Sequence, residues 1–123
     1  MSSLNINSVI AVLQVEDQEK AVEWYTNLLG REPDIIPMEG VAEWQLAENS
    51  WLQVTIDPAN LELIGKSTVI IGVNNIEQQS NICDDAKIKH SEVVEYPGVI
   101  KMFEVVDLDG NKIAFAEDIS SQN

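Results

Sequence analysis

The feature that most constrains this chain is a pattern that occurs twice. Val9 to Val15 is an almost wholly apolar run, broken only by Gln14, and it passes directly into Glu16-Asp17. Thr68 to Val73 is a second such run and passes into Asn74-Asn75. An apolar run of this length reads as a strand buried on both faces. The polar residue that follows it, Asp17 or Asn75, can accept the free amide hydrogens of a first helical turn. After Asp17, Ala21, Trp24, Tyr25 and Leu28 recur at three-to-four spacing and mark a helix face that packs on a sheet, and Gly30 stops that helix. A weaker helical segment, Ile76 to Ala86, follows Asn75. Three extended segments come after each helix. They are Glu32 to Met38, Val41 to Ala47 and Trp51 to Asp57 in the first half, and Glu92 to Tyr96, Lys101 to Val106 and Lys112 to Glu117 in the second. Asp107-Leu108-Asp109-Gly110 makes the last hairpin turn. Each half therefore reads βαβββ. The expected fold is α+β: two such modules, residues 8–57 and 67–118, with curved mixed sheets around a shared cleft, joined by a linker from Asp57-Pro58 to Lys66.

Length and composition agree with one domain. The chain has 123 residues, 45% of them hydrophobic, enough to build a real core rather than remain disordered. Seven basic residues against 21 acidic ones give a formal net charge of −14. That balance disfavours phosphate backbones and anionic lipid, so neither a nucleic acid nor a membrane is the expected partner. The apolar runs are far too short to cross a bilayer, and residues 1–7 show no secretory pattern. A lone cysteine, Cys83, cannot form an internal disulfide and is expected to serve packing. A cytoplasmic location is the expectation.

The segment Val15-Glu16-Asp17 with Trp24-Tyr25-Thr26-Asn27-Leu28-Leu29-Gly30 resembles the first strand and helix of the vicinal oxygen chelate superfamily. Asp107-Leu108-Asp109-Gly110-Asn111 resembles its closing hairpin, with leucine where proline is usual. That superfamily includes glyoxalase I, fosfomycin-resistance enzymes, extradiol dioxygenases and bleomycin-resistance proteins. The resemblance implies a homodimer with clefts at or near the subunit interface. It also implies four positions at which metal-using relatives place ligands. Here they hold Ile10, Gln53, Thr68 and Ala114. Two of these have no side-chain donor, and a catalytic divalent ion needs several strong donors converging. No metal and no other cofactor is expected. The single histidine, His90, lies between Lys89 and Ser91 and reads as an exposed loop residue.

Strand alternation nominates the cleft lining instead. In the Trp51 segment, Leu52, Val54 and Ile56 form the core set, leaving Trp51, Gln53 and Thr55 on the concave side. If Glu48-Asn49-Ser50 is the loop, Gln45 lies opposite Gln53. Ala42, Trp44 and Leu46 then join the core, and Glu43 and Gln45 face the cleft. In the second half Phe103 and Val105 read as core, Met102 and Glu104 point inward, and Ala114 and Ala116 offer open space. Tyr96-Pro97-Gly98 reads either as a flap over the cleft or as an ordinary turn. The candidate ligand-binding residues are thus Glu43, Gln45, Trp51, Gln53, Thr55, Tyr96, Met102 and Glu104, and no catalytic residue is assigned.

An aromatic face, amides and acids suit planar or cationic guests. The reading that follows is a metal-free small-molecule binder, like a bleomycin-resistance protein that sequesters an antibiotic. Two alternatives stand beside it: an enzyme with Glu43 or Glu104 as general base, and a degenerate domain kept for protein interaction.

Overall fold

The computed structural model describes residues 5–120. The first module runs β1 (Val9–Gln14), α1 (Gln18–Leu29), β2 (Ile35–Met38), β3 (Val41–Ala47) and β4 (Ser50–Thr55). The second runs β5 (Thr68–Gly72), α2 (Ile76–Asp85), β6 (Val94–Tyr96), β7 (Ile100–Val106) and β8 (Lys112–Asp118). Each builds a four-stranded mixed sheet, in the orders β1-β4-β3-β2 and β5-β8-β7-β6. In both, the first strand pairs in parallel with the last and the other pairings are antiparallel. The helix is the crossover that parallel pairing demands. Among the described residues no helix is long and apolar enough to cross a membrane.

The local signals that set the helices are in place. The Asp17 carboxylate accepts the Lys20 amide at 3.1 Å, and Gly30 closes α1 with φ 81. Asn75 accepts the Gln78 amide at 2.9 Å, and the Glu117 carboxylate on β8 takes the first amide of α2, that of Ile76, also at 2.9 Å. The expected linker is more ordered than its composition implies. Asp57 accepts from the Ala59 amide (3.0 Å) and the Asn60 side chain (2.8 Å), and Pro58–Leu63 forms two short 3₁₀ turns, the first opened by proline, with a kink at Asn60 (φ −136, ψ 52) between them.

One apolar core serves both modules. Leu13, Val15, Tyr25, Leu28, Trp44 and Val54 belong to the same buried cluster as Ile76, Cys83, Phe103, Val105, Ile113 and Phe115. Trp24, expected on the packed face, covers the rim of this cluster and is only partly buried. Trp44 is fully buried, and its indole N–H is satisfied by the Arg31 carbonyl at 2.9 Å. Burial pushes the Cys83 thiol up to about 11, with Asp84 adding to the effect. Such a thiol stays protonated and packs as a small hydrophobe.

A polar clasp joins the two modules. The Tyr25 hydroxyl of α1 donates to Asp107 Oδ2 at 2.6 Å, while Asp107 Oδ1 accepts the amides of Asp109, Gly110 and Asn111, each at 2.9 Å. Asn111 Nδ2 donates to Asp107 Oδ2 (2.8 Å) and to the Gln14 carbonyl at the end of β1 (3.0 Å). Its Oδ1 accepts the Ser67 amide ahead of β5 at 3.0 Å. Burial, and then the Asp107 charge, hold the Tyr25 hydroxyl protonated far above the ordinary tyrosine range.

Two local expectations change. Gln45 lies opposite Trp51 rather than Gln53, and Glu43 takes the place facing Gln53. The turn is only Glu48-Asn49, with Ser50 opening β4 opposite Ala47, and an irregularity between Gln45 and Ala47 adds a second step; together they slide the register by two residues and keep each side chain on its expected face. His90 is not a free loop residue. Its side chain is only 17% exposed, with Nδ1 on the Ser91 carbonyl (2.6 Å), Nε2 on Asp84 of α2 (2.8 Å), and the ring 4.9 Å from that of Phe103. The Ser91 bond, with further support from Asp84, outweighs desolvation and raises its pKa above the ordinary histidine value.

Candidate functional site

In the first sheet the pleat sends Leu13, Ala42, Trp44, Leu52 and Val54 into the core. The opposite face then carries three cross-strand rows. They read Ile10–Trp51–Gln45, Val12–Gln53–Glu43 and Gln14–Thr55–Val41 across β1, β4 and β3. The middle row is the chemical centre of this face. Gln53 Nε2 donates to Glu43 Oε2 at 2.7 Å, and both residues are partly exposed. Trp51 is also partly exposed, one row away. Ile10 and Val12 on the edge strand β1 beside them remain 48% and 43% exposed, an apolar margin to the polar pair.

Two members of this face have their polar atoms committed elsewhere. Thr55 is buried and its hydroxyl donates to the Ile56 carbonyl at 3.3 Å. The exposed Gln45 directs its amide N–H to the Glu48 carbonyl at 2.9 Å. Its backbone is held by the Asp34 carboxylate, which accepts the Gln45 amide (2.7 Å) and pairs with Arg31 (3.0 Å). Gln14 escaped the sequence reading because it looked like a lone polar break in an apolar strand. Its Oε1 is buried and has no hydrogen-bond partner among the described residues.

The remaining candidates lie on the other sheet. Its outward rows read Ile70–Ala114–Glu104 and Gly72–Ala116–Met102–Val94, with Tyr96 beside Ile100 at the end of β6. Glu104 and Tyr96 are exposed, and Met102 is partly so. Ala114 and Ala116 do not leave open space; both are buried, Ala114 between Ile70 and Glu104 and Ala116 between Gly72 and Met102. Tyr96-Pro97-Gly98 is a hydrogen-bonded turn, closed by the Val99 amide on the Tyr96 carbonyl at 2.9 Å.

The structure thus groups the eight candidates into a first-module set, Glu43, Gln45, Trp51, Gln53 and Thr55, and a second-module set, Tyr96, Met102 and Glu104. A cleft of about 250 Å³ connects Trp51 and Val9 with Ile70 and Gly72 of β5, where the two sheets meet. Another, of about 320 Å³, places Glu104 beside Lys89, His90 and Ser91. A third, of about 660 Å³, lies off both of these faces. Val22, Ile36 and Ile56 line it together with Glu16, Glu19 and Glu39 around the start of α1. Nothing local in the sequence marks this hollow.

The four positions at which relatives ligate a metal divide between the sheets, Ile10 and Gln53 on one, Thr68 and Ala114 on the other. Isoleucine and alanine supply no donor, which leaves one neutral amide oxygen, that of Gln53, and the weak Thr68 hydroxyl on the other sheet. Among the described residues no three His, Cys, Asp or Glu side chains converge. The donors present do not fit a catalytic divalent ion.

No protein-family model matches the sequence, and no curated protein matches it. Solved structures do. A glyoxalase/bleomycin resistance protein from Catenulispora acidiphila superposes with a TM-score of 0.80 at 28% identity, over 89% of this chain and 96% of that one. TnmS3, an antibiotic-binding protein from Streptomyces sp. CB03234, gives 0.78 at 16% identity, over 94% and 99%. A lactoylglutathione lyase from Agrobacterium tumefaciens gives 0.71 at 13% identity, over 89% and 91%. The last two likenesses are of fold alone. The paired βαβββ modules agree with these superpositions, and the chain has the glyoxalase/bleomycin-resistance fold of the vicinal oxygen chelate superfamily.

Proposed function

We propose that this protein binds a small planar or cationic molecule on the first-module sheet face and does so without a metal ion. The observation that carries the reading is the row Val12–Gln53–Glu43 with Trp51 beside it. A carboxylate, an amide and an indole stand on an open sheet face where β1, β3 and β4 supply no basic side chain. Such a surface attracts positive charge and offers a ring to stack on. It has no nucleophile activated by a neighbouring base, which favours retention of the ligand over its conversion. The antibiotic-binding neighbour of the same fold supports the class of guest, and sequestration of an antibiotic is the physiological form of the proposal.

We further propose a homodimer. Ile10 and Val12 on one sheet face, and Ile70 (68% exposed), Val94 (46%) and Val106 (53%) on the other, are open apolar side chains of the kind that an interface covers. A second copy would cover part of it and wall the site. The lone thiol, buried and unpaired, suits a reducing compartment, and we place the action in the cytoplasm.

Titration with proflavine, a planar aminoacridinium dye, tests the reading. The expected result is saturable quenching of tryptophan emission with the dye recovered unchanged by mass spectrometry. The same samples should scatter light as a particle of twice the 13.7 kDa chain mass. Trp51→Ala should weaken binding about tenfold, the worth of a good stacking contact to a cation, with the fold unchanged by circular dichroism. Dye conversion, or no binding at all, would overturn the proposal. A monomeric mass would overturn the dimer alone.

A further inference from the structure

The hydrogen-bond inventory of the first-module face narrows the ligand further, on the footing of the reading just given. A carboxylate has only acceptors to offer, so the Gln53 amide must turn its nitrogen toward Glu43, as it does at 2.7 Å. That contact fixes the amide and leaves its carbonyl oxygen turned away from Glu43. It also spends one Glu43 oxygen, Oε2, and leaves Oε1 without a side-chain partner. On the next row, beside Thr55, the Gln14 Oε1 is buried with no donor among the described residues. The Thr55 hydroxyl cannot supply one while it donates to the Ile56 carbonyl. The pair itself therefore turns two acceptors outward, Glu43 Oε1 and the Gln53 carbonyl oxygen, against one remaining Gln53 N–H. A buried unpartnered acceptor costs free energy, and the pattern is relieved by a guest that brings N–H donors.

The aromatic wall is placed to match. Trp51 precedes Gln53 by two residues on β4, so the two side chains rise from the same face roughly 7 Å apart. That is the scale of a two- or three-ring aromatic plane carrying a polar edge. We infer that Glu43 and Gln53 act as one receptor for the N–H edge of a flat organic cation, an aminoaryl, amidinium or guanidinium group, whose ring lies against Trp51. Gln53 is then a positioning residue as well as a contact, because its amide holds the carboxylate in the orientation that a two-point donor meets.

A matched pair of dyes isolates this claim. Proflavine and acridine orange share the acridinium ring and its charge, but full methylation removes the exocyclic N–H donors of the second. Equilibrium dialysis should show wild-type protein favouring proflavine by about tenfold, the value of one charge-assisted hydrogen bond. Gln53→Met should reduce that ratio, and the double variant Glu43→Leu/Gln53→Met should bring it close to one. Glu43 and Gln53 are partly exposed and lie outside the buried core, so both substitutions leave the core intact. Circular dichroism confirms folding before each titration. A ratio near one in the wild type, or an unchanged ratio in the double variant, would overturn the inference while leaving the binder reading intact. Failure of both dyes to bind would remove the two together.

Discussion

Asp107→Ala is expected to cost this protein about 4 kcal/mol, a large share of the stability of a domain this size. The reasoning counts what the carboxylate holds. Its Oδ1 takes three successive amides of the closing hairpin, and its Oδ2 takes the Tyr25 hydroxyl and the Asn111 side chain. Asp107 is only 7% exposed and Asn111 is fully buried, so water cannot replace those bonds without opening the junction. Removing one partner from a buried charged cluster costs more than the cluster contributes when intact, because the donors left behind stay desolvated. Asp107→Asn keeps the shape and one acceptor, but it sets an amide nitrogen against the Asn111 side-chain donor; about 2 kcal/mol is expected. Tyr25→Phe removes one hydroxyl and should cost about 1–2 kcal/mol. Urea unfolding read by tryptophan fluorescence gives all three. The order alanine, asparagine, then phenylalanine is the prediction, and an Asp107→Ala protein within 1 kcal/mol of wild type would mean that the clasp is not a structural tie. A cycle of Tyr25→Phe with Asp107→Asn measures the coupling directly.

That clasp also marks where the sequence was legible and where it was not. Local chemistry announced itself: Asp17 and Asn75 sit one residue ahead of their helices, Gly30 ends α1, and the paired apolar runs gave two βαβββ halves in the right order. The face of each strand followed from alternation, which is why Trp44 and Phe103 are core and Glu43 and Gln53 share an open face. Contacts with no local period were invisible. Tyr25 counted as one more apolar member of a helix face, and Asp107 as a turn residue, yet they meet across 82 positions. The one-residue irregularity after Gln45 has no strong sequence mark, so the face of Glu43 was right and its partner wrong. His90 looked solvated because both of its neighbours are polar, while its ring packs on Phe103 through the fold. The candidate site divides in the same way. Its chemistry was readable residue by residue, but which side chains stand together depends on how two sheets are set against each other, and that is fixed by the junction.

Gly65 tests the junction from its other side. It adopts φ +73 where the chain leaves the 3₁₀ segment, and its amide donates to the Gln14 carbonyl at 3.2 Å. A β-carbon built there would overlap the Asp109 carbonyl oxygen and come within 2.8 Å of its carbon. Both obstacles are backbone of the hairpin that Asp107 organises, so neither can swing aside as a side chain would. Gly98 provides a matched comparison. Its φ is the same, +73, but nothing lies within 4 Å of its virtual β-carbon. Gly98→Ala should therefore pay only the left-handed backbone strain, about 1 kcal/mol. Gly65→Ala should pay that and the displacement of the hairpin as well, about 3 kcal/mol or more in total. The difference between the two variants in urea midpoint, at constant slope, reads the steric part alone. It has a functional consequence too: a hairpin pushed away from Gly65 shifts β7 and β8 relative to the first sheet. The Trp51 environment at the β1–β5 cleft should then change its emission in Gly65→Ala and stay as it is in Gly98→Ala. Equal destabilisation by the two substitutions would show that the hairpin yields freely, and that the setting of one sheet against the other does not rest on this contact.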